Sequence, residues 1–216
     1  MLGDEDIKRG IKMNRFRVSI ILICLTLLCG LPKAQAFNIY RVGEEIVGQE
    51  YNEVLKHWFV RKLSIWVGVR EDNTEYIFFK GETGLGYATV MVKNTKATRD
   101  KLERAVAKAI EWSDVAKKNQ ADASKSLGCL GEDKYNLCDE KGLAFDENQM
   151  GLSFFSANSG QQTNLIVSIV DYDNQFIKTT IYVDVPEMKK MLNVVKKIET
   201  EFEKARKTAK DQELFK

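Results

Sequence analysis

Two cysteines, Cys129 and Cys138, are the residues of this chain best suited to covalent chemistry. Catalytic dithiols favour two intervening residues, whereas eight residues separate this pair. A zinc site would need two further ligands, and His57 is the only histidine in the sequence. An even pair of cysteines in an exported chain favours a disulfide, and the leader described below predicts export. We therefore predict a structural Cys129–Cys138 bridge that ties a small loop.

The other side chains that could take part in catalysis form no recognisable set. A Ser-His-Asp triad would have to use His57, and the sequence has no Gly-x-Ser-x-Gly motif to mark a nucleophile. We interpret His57 as a partly exposed residue on a short helix. The glycine-rich run from Gly81 to Gly86 lacks the lysine of a P-loop and precedes a predicted strand rather than a helix. It is predicted to be a hairpin connection.

Acidic residues cluster on both sides of the second cysteine. They are Glu132, Asp133, Asp139, Glu140, Asp146 and Glu147. Their spacing does not match a calcium-binding loop of the EF-hand type, so we interpret them as a solvated acidic loop. A carboxylate pair for glycoside hydrolysis stays open, because such pairs are set in space rather than in sequence. We predict no catalytic residue, no metal and no cofactor, with an exported hydrolase that has a carboxylate or metal centre as the alternative.

Paired aromatic residues give the best local indication of function. Phe78 and Phe79 are neighbours in one predicted strand, and Phe154 and Phe155 are neighbours in another. A strand points adjacent side chains to opposite faces, so a sheet covered by helices on one side would expose one ring of each pair. These four residues, together with Tyr135 in the cysteine loop, are the predicted binding residues.

The first 36 residues predict a secretory signal. Residues 13–17 are basic, residues 18–31 are apolar, and Ala34-Gln35-Ala36 has the small residues of a cleavage site. We predict cleavage after Ala36 and a periplasmic or secreted product, with a retained signal anchor as the rival interpretation. Residues 1–12 precede the basic start and are interpreted as an upstream-start artefact, with Met13 as the initiator.

Removal of the leader changes the charge of the chain. It takes away six of 33 basic and three of 31 acidic residues, which turns the formal charge from +2 to −1. A near-neutral protein has no global attraction for nucleic acid or anionic lipid. Lys101, Arg104 and Lys108 on one predicted helix are therefore interpreted as a solvated face. We predict no nucleic-acid partner and no membrane span after cleavage.

Hydrophobic periodicity predicts a single α+β domain over residues 37–216. The predicted strands are 37–47, 62–70, 75–80, 87–93, 151–158, 163–170 and 175–184, and the predicted helices are 51–59, 98–119 and 186–209. Two successive strand-strand-strand-helix units follow, in halves of about 37–119 and 150–216, joined by a disulfide-bearing loop 120–149. We expect antiparallel sheet with the long helices packed on one side.

In outline, two consecutive units of strands plus a long helix resemble single-strand-binding folds of the Whirly type. The export signal and the neutral charge argue against that function here. The sequence predicts an exported, non-catalytic binding or interaction protein of the cell envelope, which includes the inhibitor and immunity types. Its predicted partner is another envelope or secreted protein.

Overall fold

The computed structural model describes residues 37–70, 72–131, 142–144 and 146–213, and within them the fold is α+β. The strands are β1 Phe37–Arg41, β2 Ile46–Asn52, β3 His57–Arg70, β4 Glu75–Glu82, β5 Tyr87–Lys93, β6 Ala123–Gly131, β7 Gln149–Ala157, β8 Gln162–Val170 and β9 Lys178–Val183. The helices are α1 Lys96–Asn119, α2 Val185–Lys196 and α3 Ile198–Glu213. The predicted signal segment, Tyr135, Cys138 and the acids between 132 and 140 lie outside the described residues.

The strands form one curled antiparallel sheet. Its order is β5-β4-β3-β2-β9-β8-β7-β6, with β1 paired to the second half of β3. The edge strand β5 is held by side chains from across the curl. The Thr89 N–H donates to Asp171 Oδ2 at 2.7 Å, and the Met91 N–H donates to Asn148 Oδ1 at 2.7 Å. These bonds satisfy edge backbone groups that would otherwise be free to pair with another chain.

The core lies inside the curl, where alternate residues of the strands meet the helices. Ile65, Phe79, Val167 and Ile181 are fully buried there. Opposite strands approach closely at Gly81, where a Cβ would lie 2.7 Å from Thr179 Cγ2. A larger residue at this position would push β4 away from β9, so glycine is needed for close packing.

Helix α1 begins two residues earlier than predicted, at Lys96 instead of Thr98. Thr95, rather than Thr98, is the N-cap, because its hydroxyl oxygen accepts a hydrogen bond from the Thr98 N–H at 3.0 Å. Pro186 lies in the first turn of α2 as predicted, and Asp184, the last residue of the predicted strand 175–184, is the N-cap of this helix. The predicted single helix 186–209 is two helices that meet at Lys197, and the break allows α2 and α3 each to turn a buried face to the core.

The predicted helix over 51–59 is wrong, because these residues form the β2–β3 hairpin. Tyr51 pairs directly with Trp58 across the two strands, and the turn between them comprises residues 53–56. Asn52 accepts hydrogen bonds from the backbone of Val54 and Leu55 at 3.0 and 2.8 Å. An asparagine that bonds to its own backbone favours a turn over a helix, and the helix-like spacing arose from cross-strand aromatic pairing.

The predicted loop 120–149 is also wrong in part, because it contains the strand β6. Its sequence, ASKSLGCLG, has few residues with high β propensity, but it pairs with β7 along its length. A register shift between Ser126 and Gly128 marks a bulge in this edge strand. The two predicted units of three strands each are therefore not confirmed, and the sheet dominates the fold.

An ion-pair cluster fixes α3 to the sheet. The Arg206 guanidinium donates to Glu75 on β4 and to Glu199 on its own helix. Arg99 on α1 pairs with the same Glu199 at 2.9 Å. Burial raises the pKa of Glu75, but the hydrogen bonds from Arg206 and Asn94 outweigh it and hold that pKa below its usual value. The cluster therefore contributes stability while Glu75 is ionised.

Candidate interaction surface

Antiparallel topology brings four connections to one end of the sheet, and three of them are described throughout. These three are the turns of residues 53–56, 83–86 and 171–177, called the loop end below. Side chains tie together the strands that lead into these loops: the Arg61 Nε on β3 donates to Glu50 on β2 at 2.7 Å, and the Thr179 hydroxyl on β9 donates to Glu50 at 3.3 Å. The Tyr172 N–H donates to the Thr89 carbonyl at 2.8 Å, which fixes the third loop beside β5. Both α1 and α2 begin at the opposite end of the sheet.

Large apolar side chains are exposed at the loop end. Leu85 is fully exposed, Val54 is 89% exposed and Phe176 is 84% exposed. Seven of the twelve exposed large hydrophobic residues in the described chain lie in or beside these loops: Val54, Leu55, Leu85, Tyr87, Tyr172, Phe176 and Ile177. Single exposed hydrophobics are ordinary on a protein surface, but a concentration of them on adjacent loops indicates an interaction site.

The β2–β3 hairpin presents two of these residues on a fixed turn. The Asn52 carboxamide oxygen accepts from the Val54 and Leu55 N–H groups, and Lys56 adopts a left-handed conformation with φ of 50°. The turn is therefore ordered before any partner arrives. A pre-ordered loop loses less conformational entropy on binding than a floppy one.

An aromatic chain stiffens the base of this hairpin on the face of the sheet turned away from the core. The Tyr51 and Trp58 ring centroids are 5.1 Å apart, and Trp58 meets the edge of Tyr182 at 5.1 Å. Phe155 extends the chain from β7, with its ring centroid 6.4 Å from that of Tyr182. Burial, with a smaller effect of Glu53, raises the pKa of the Tyr182 hydroxyl, which is therefore protonated at neutral pH. Edge-to-face contacts of this kind hold the hairpin at a defined angle.

Acidic groups outnumber basic groups around the exposed apolar residues. Among the described residues in and directly beside the three loops, the acids are Glu53, Glu82, Asp171 and Asp173, and the bases are Lys56 and Lys178. Burial and the neighbouring Asp173 raise the pKa of Asp171, whose carboxylate accepts backbone hydrogen bonds from Thr89 and Asp173. Asp171 therefore has a structural task in closing the sheet. Because Asp171 is buried, the exposed charges are three acids against two bases, and the rim of the loop end is weakly negative.

The residues predicted to bind are separated by the structure. Phe79 and Phe154 lie in the core, and Phe154 packs its ring against Trp112 at 5.7 Å. Phe78 projects to the other face of β4 beside Trp66 but is also buried. Phe155 is half-buried and belongs to the aromatic chain. Of the four predicted phenylalanines, Phe155 alone keeps part of its ring accessible, and Tyr135 lies outside the described residues.

The loop-end residues were not identified from the sequence. The sequence pattern assigns Val54 and Leu55 to a helix face, Leu85 to a hairpin connection and Phe176 to the predicted strand 175–184, which in the structure begins only at Lys178. The signals that could have found them are the turn chemistry of Asn52 and the presence of apolar residues inside polar turns. Cys129 is buried in β6, and because Cys138 lies outside the described residues the disulfide stays a prediction.

The candidate catalytic groups are scattered. His57 is an exposed strand residue whose ring contacts Phe59 at 5.1 Å. Among the described residues, no group of three or more His, Cys, Asp or Glu side chains could hold a metal ion. Two grooves on the described surface contain one carboxylate each, Glu111 in one and Asp184 in the other. A convergent pair of carboxylates is not found in either groove.

Two further findings bear on function. Within the described part of the chain, no helix has the length and apolar character needed to cross a membrane. No protein-family model matches the chain, and neither a curated protein nor a solved structure matches it.

Proposed function

We propose that this chain is an exported, non-catalytic interaction protein of the cell envelope that binds a second protein through its loop end. The observation that carries the proposal is the concentration of exposed apolar side chains on three loops at one end of the sheet. Burying a fully exposed Val, Leu or Phe yields about 1.5–3 kcal/mol. The four most exposed members, Val54, Leu55, Leu85 and Phe176, would together supply about 6–12 kcal/mol before the cost of association. That range is enough for a specific complex once the rim adds complementary charge.

The charge around the loops favours a protein partner over a membrane surface. Anionic lipid attracts clusters of Lys and Arg, whereas acids are in excess here. A partner with apolar pockets and a basic rim would complement the loop end in both respects. Electrostatic complementarity of this kind raises the association rate and sets specificity.

The proposal of export to the envelope rests on the leader of residues 1–36 and on the predicted cysteine bridge.

We also propose that the two halves of the domain share a common plan. Support comes from the order of elements, since four strands in a meander precede α1 and four more precede α2. In such a plan β2 and β9 join the halves, and the hairpin that presents Val54 belongs to the first half.

A quantitative capture experiment tests the function. The tagged mature chain and the variant Val54→Ser/Leu55→Ser are used as baits in an envelope extract, and bound proteins are quantified by mass spectrometry. The matched control is Val115→Ser, which removes an exposed apolar side chain from α1, away from the loops. We expect one identified envelope protein to be depleted at least tenfold with the loop variant and unchanged with the control. Equal recovery with both variants, or retention of lipid vesicles in place of a protein, would contradict the proposal.

A further inference from the structure

A basic groove lies on a different part of the molecule, between α1 and the edge strand β6. Its volume is about 640 Å³, and its lining residues are Lys101, Arg104, Ala105, Ala107, Lys108, Glu111, Ser126 and Leu127. The three cations are spaced three and four residues apart, which places them on one face of the helix. They span about 10 Å of helix axis, the length of about three extended residues.

The floor of the groove is an edge strand. β6 is the last strand in the order of the sheet, and Ser124, Lys125 and Ser126 are exposed along it. A bulge follows, where Gly128 has φ of 103° and the Lys101 Cε would lie 3.4 Å from a Cβ at that glycine. The end of the Lys101 side chain therefore lies over the bulge, and Lys101 lines the groove together with Ser126 and Leu127 of β6.

We propose that this groove binds an extended acidic peptide, which pairs with β6 as an added strand and places its carboxylates on the cations of α1. Strand addition beside a helix uses backbone hydrogen bonds for affinity and side-chain contacts for specificity. Lys108 is already paired with Glu111 at 2.8 Å, so Lys101 and Arg104 are the principal contacts for a ligand. The groove is independent of the loop end and adds a second site to the proposed function.

The lining of the groove favours peptide over single-stranded nucleic acid. Proteins that bind single strands combine positive charge with aromatic rings on which bases stack. The described lining offers Leu127 and two alanines between its polar residues, without an aromatic ring. Backbone pairing along β6 has no counterpart in nucleic acid recognition of that type.

The test uses an array of ten-residue peptides that alternate Asp or Glu with apolar residues, beside a matched array in which Lys or Arg replaces the acids. We expect the mature chain to bind peptides of the acidic array and not to bind peptides of the basic array. The tightest acidic peptide is then labelled with fluorescein for anisotropy. Arg104→Glu and Lys101→Glu should each weaken binding at least tenfold. Lys118→Glu, an exposed site near the end of α1, should leave it within twofold.

Amide hydrogen exchange shows where the peptide lies. We expect the acidic peptide to slow exchange in residues 124–126, and the variant Val54→Ser/Leu55→Ser to bind it as the wild type does, which separates this site from the loop end. Circular dichroism confirms that each variant is folded, and Arg104→Ala replaces Arg104→Glu if the latter is not. Absence of acidic binders, equal binding of both arrays, protection outside β6, or tighter binding of a ten-nucleotide oligo(dT) would overturn the proposal.

Discussion

Neighbouring phenylalanines on β7 offer a matched test of which aromatic residues support the fold and which remain available for contact. Phe154 is 2% exposed and packs edge-on against Trp112, whereas Phe155 is half-buried at the end of the aromatic chain. The two side chains are chemically identical and adjacent, so a difference between their alanine variants reports the environment of each ring. We predict that Phe154→Ala destabilises the protein much more than Phe155→Ala.

The size of the difference follows from burial. Truncation of a fully buried phenylalanine costs about 3–5 kcal/mol, because the lost transfer energy is joined by the energy of a cavity. Phe155→Ala removes a half-buried ring and one edge-to-face contact, for which we expect the free energy of unfolding to fall by about 1–2 kcal/mol. With a urea m-value of about 2 kcal/mol/M, the midpoint should fall by about 2 M for Phe154→Ala and by about 0.5–1 M for Phe155→Ala.

The assay is equilibrium unfolding in urea, followed by far-ultraviolet circular dichroism with the m-value fitted for each variant. Phe154→Leu, which keeps most of the volume, should cost less than about 1.5 kcal/mol and serves if the alanine variant does not fold. Equal shifts for Phe154→Ala and Phe155→Ala, or a larger shift for Phe155→Ala, would refute the assignment of the two rings to core and outer face.

Two further predictions concern the framework that holds the loops. Because the pKa of Glu75 is lowered in the fold, its stabilising effect is present above the unfolded pKa of about 4.3 and is lost as the pH falls through the folded value. Glu75→Gln should therefore cost about 1 kcal/mol at pH 7, a figure reduced for solvent screening because Arg206 is 45% exposed, and in urea titrations the difference should shrink as the pH falls below about 4.3; a deficit that grows in acid would contradict this. Gly160→Ala should lower stability by about 2–4 kcal/mol in thermal unfolding, because its Cβ would lie 2.2 Å from the Ala116 carbonyl oxygen, whereas Gly84→Ala should stay within about 0.5 kcal/mol.

Local sequence patterns predicted the elements whose hydrophobic periodicity is regular along their whole length. The strand Tyr87–Lys93 alternates buried and less buried residues, and the sequence assigned it with the same limits. Pro186 marked the start of α2, because a proline in the first turn of a helix loses no backbone hydrogen bond. The paired phenylalanines were correctly predicted to point to opposite faces of their strands.

The wrong predictions share one physical cause. Pairing between distant segments of the chain overrides the local sequence pattern. Tyr51 and Trp58 are spaced like residues on a helix but meet across a hairpin. The polar segment of β6 becomes a strand because β7 supplies its partner. Exposure of Leu85 and Phe176 depends on which loops share an end of the sheet, and that is fixed by the order of the strands rather than by either residue's neighbours.

Site-specific photo-crosslinking in exporting cells tests the central claim most directly. A benzoylphenylalanine is placed at Leu55, Leu85 or Phe176 on the loop end, and at Asn73 or Ser159 in exposed turns at the opposite end as controls. Interaction through the loop end predicts one discrete adduct with the same envelope protein from all three loop positions and no adduct from the controls. Equal labelling from both ends, adducts with a second copy of this chain, or labelling of lipid would contradict it.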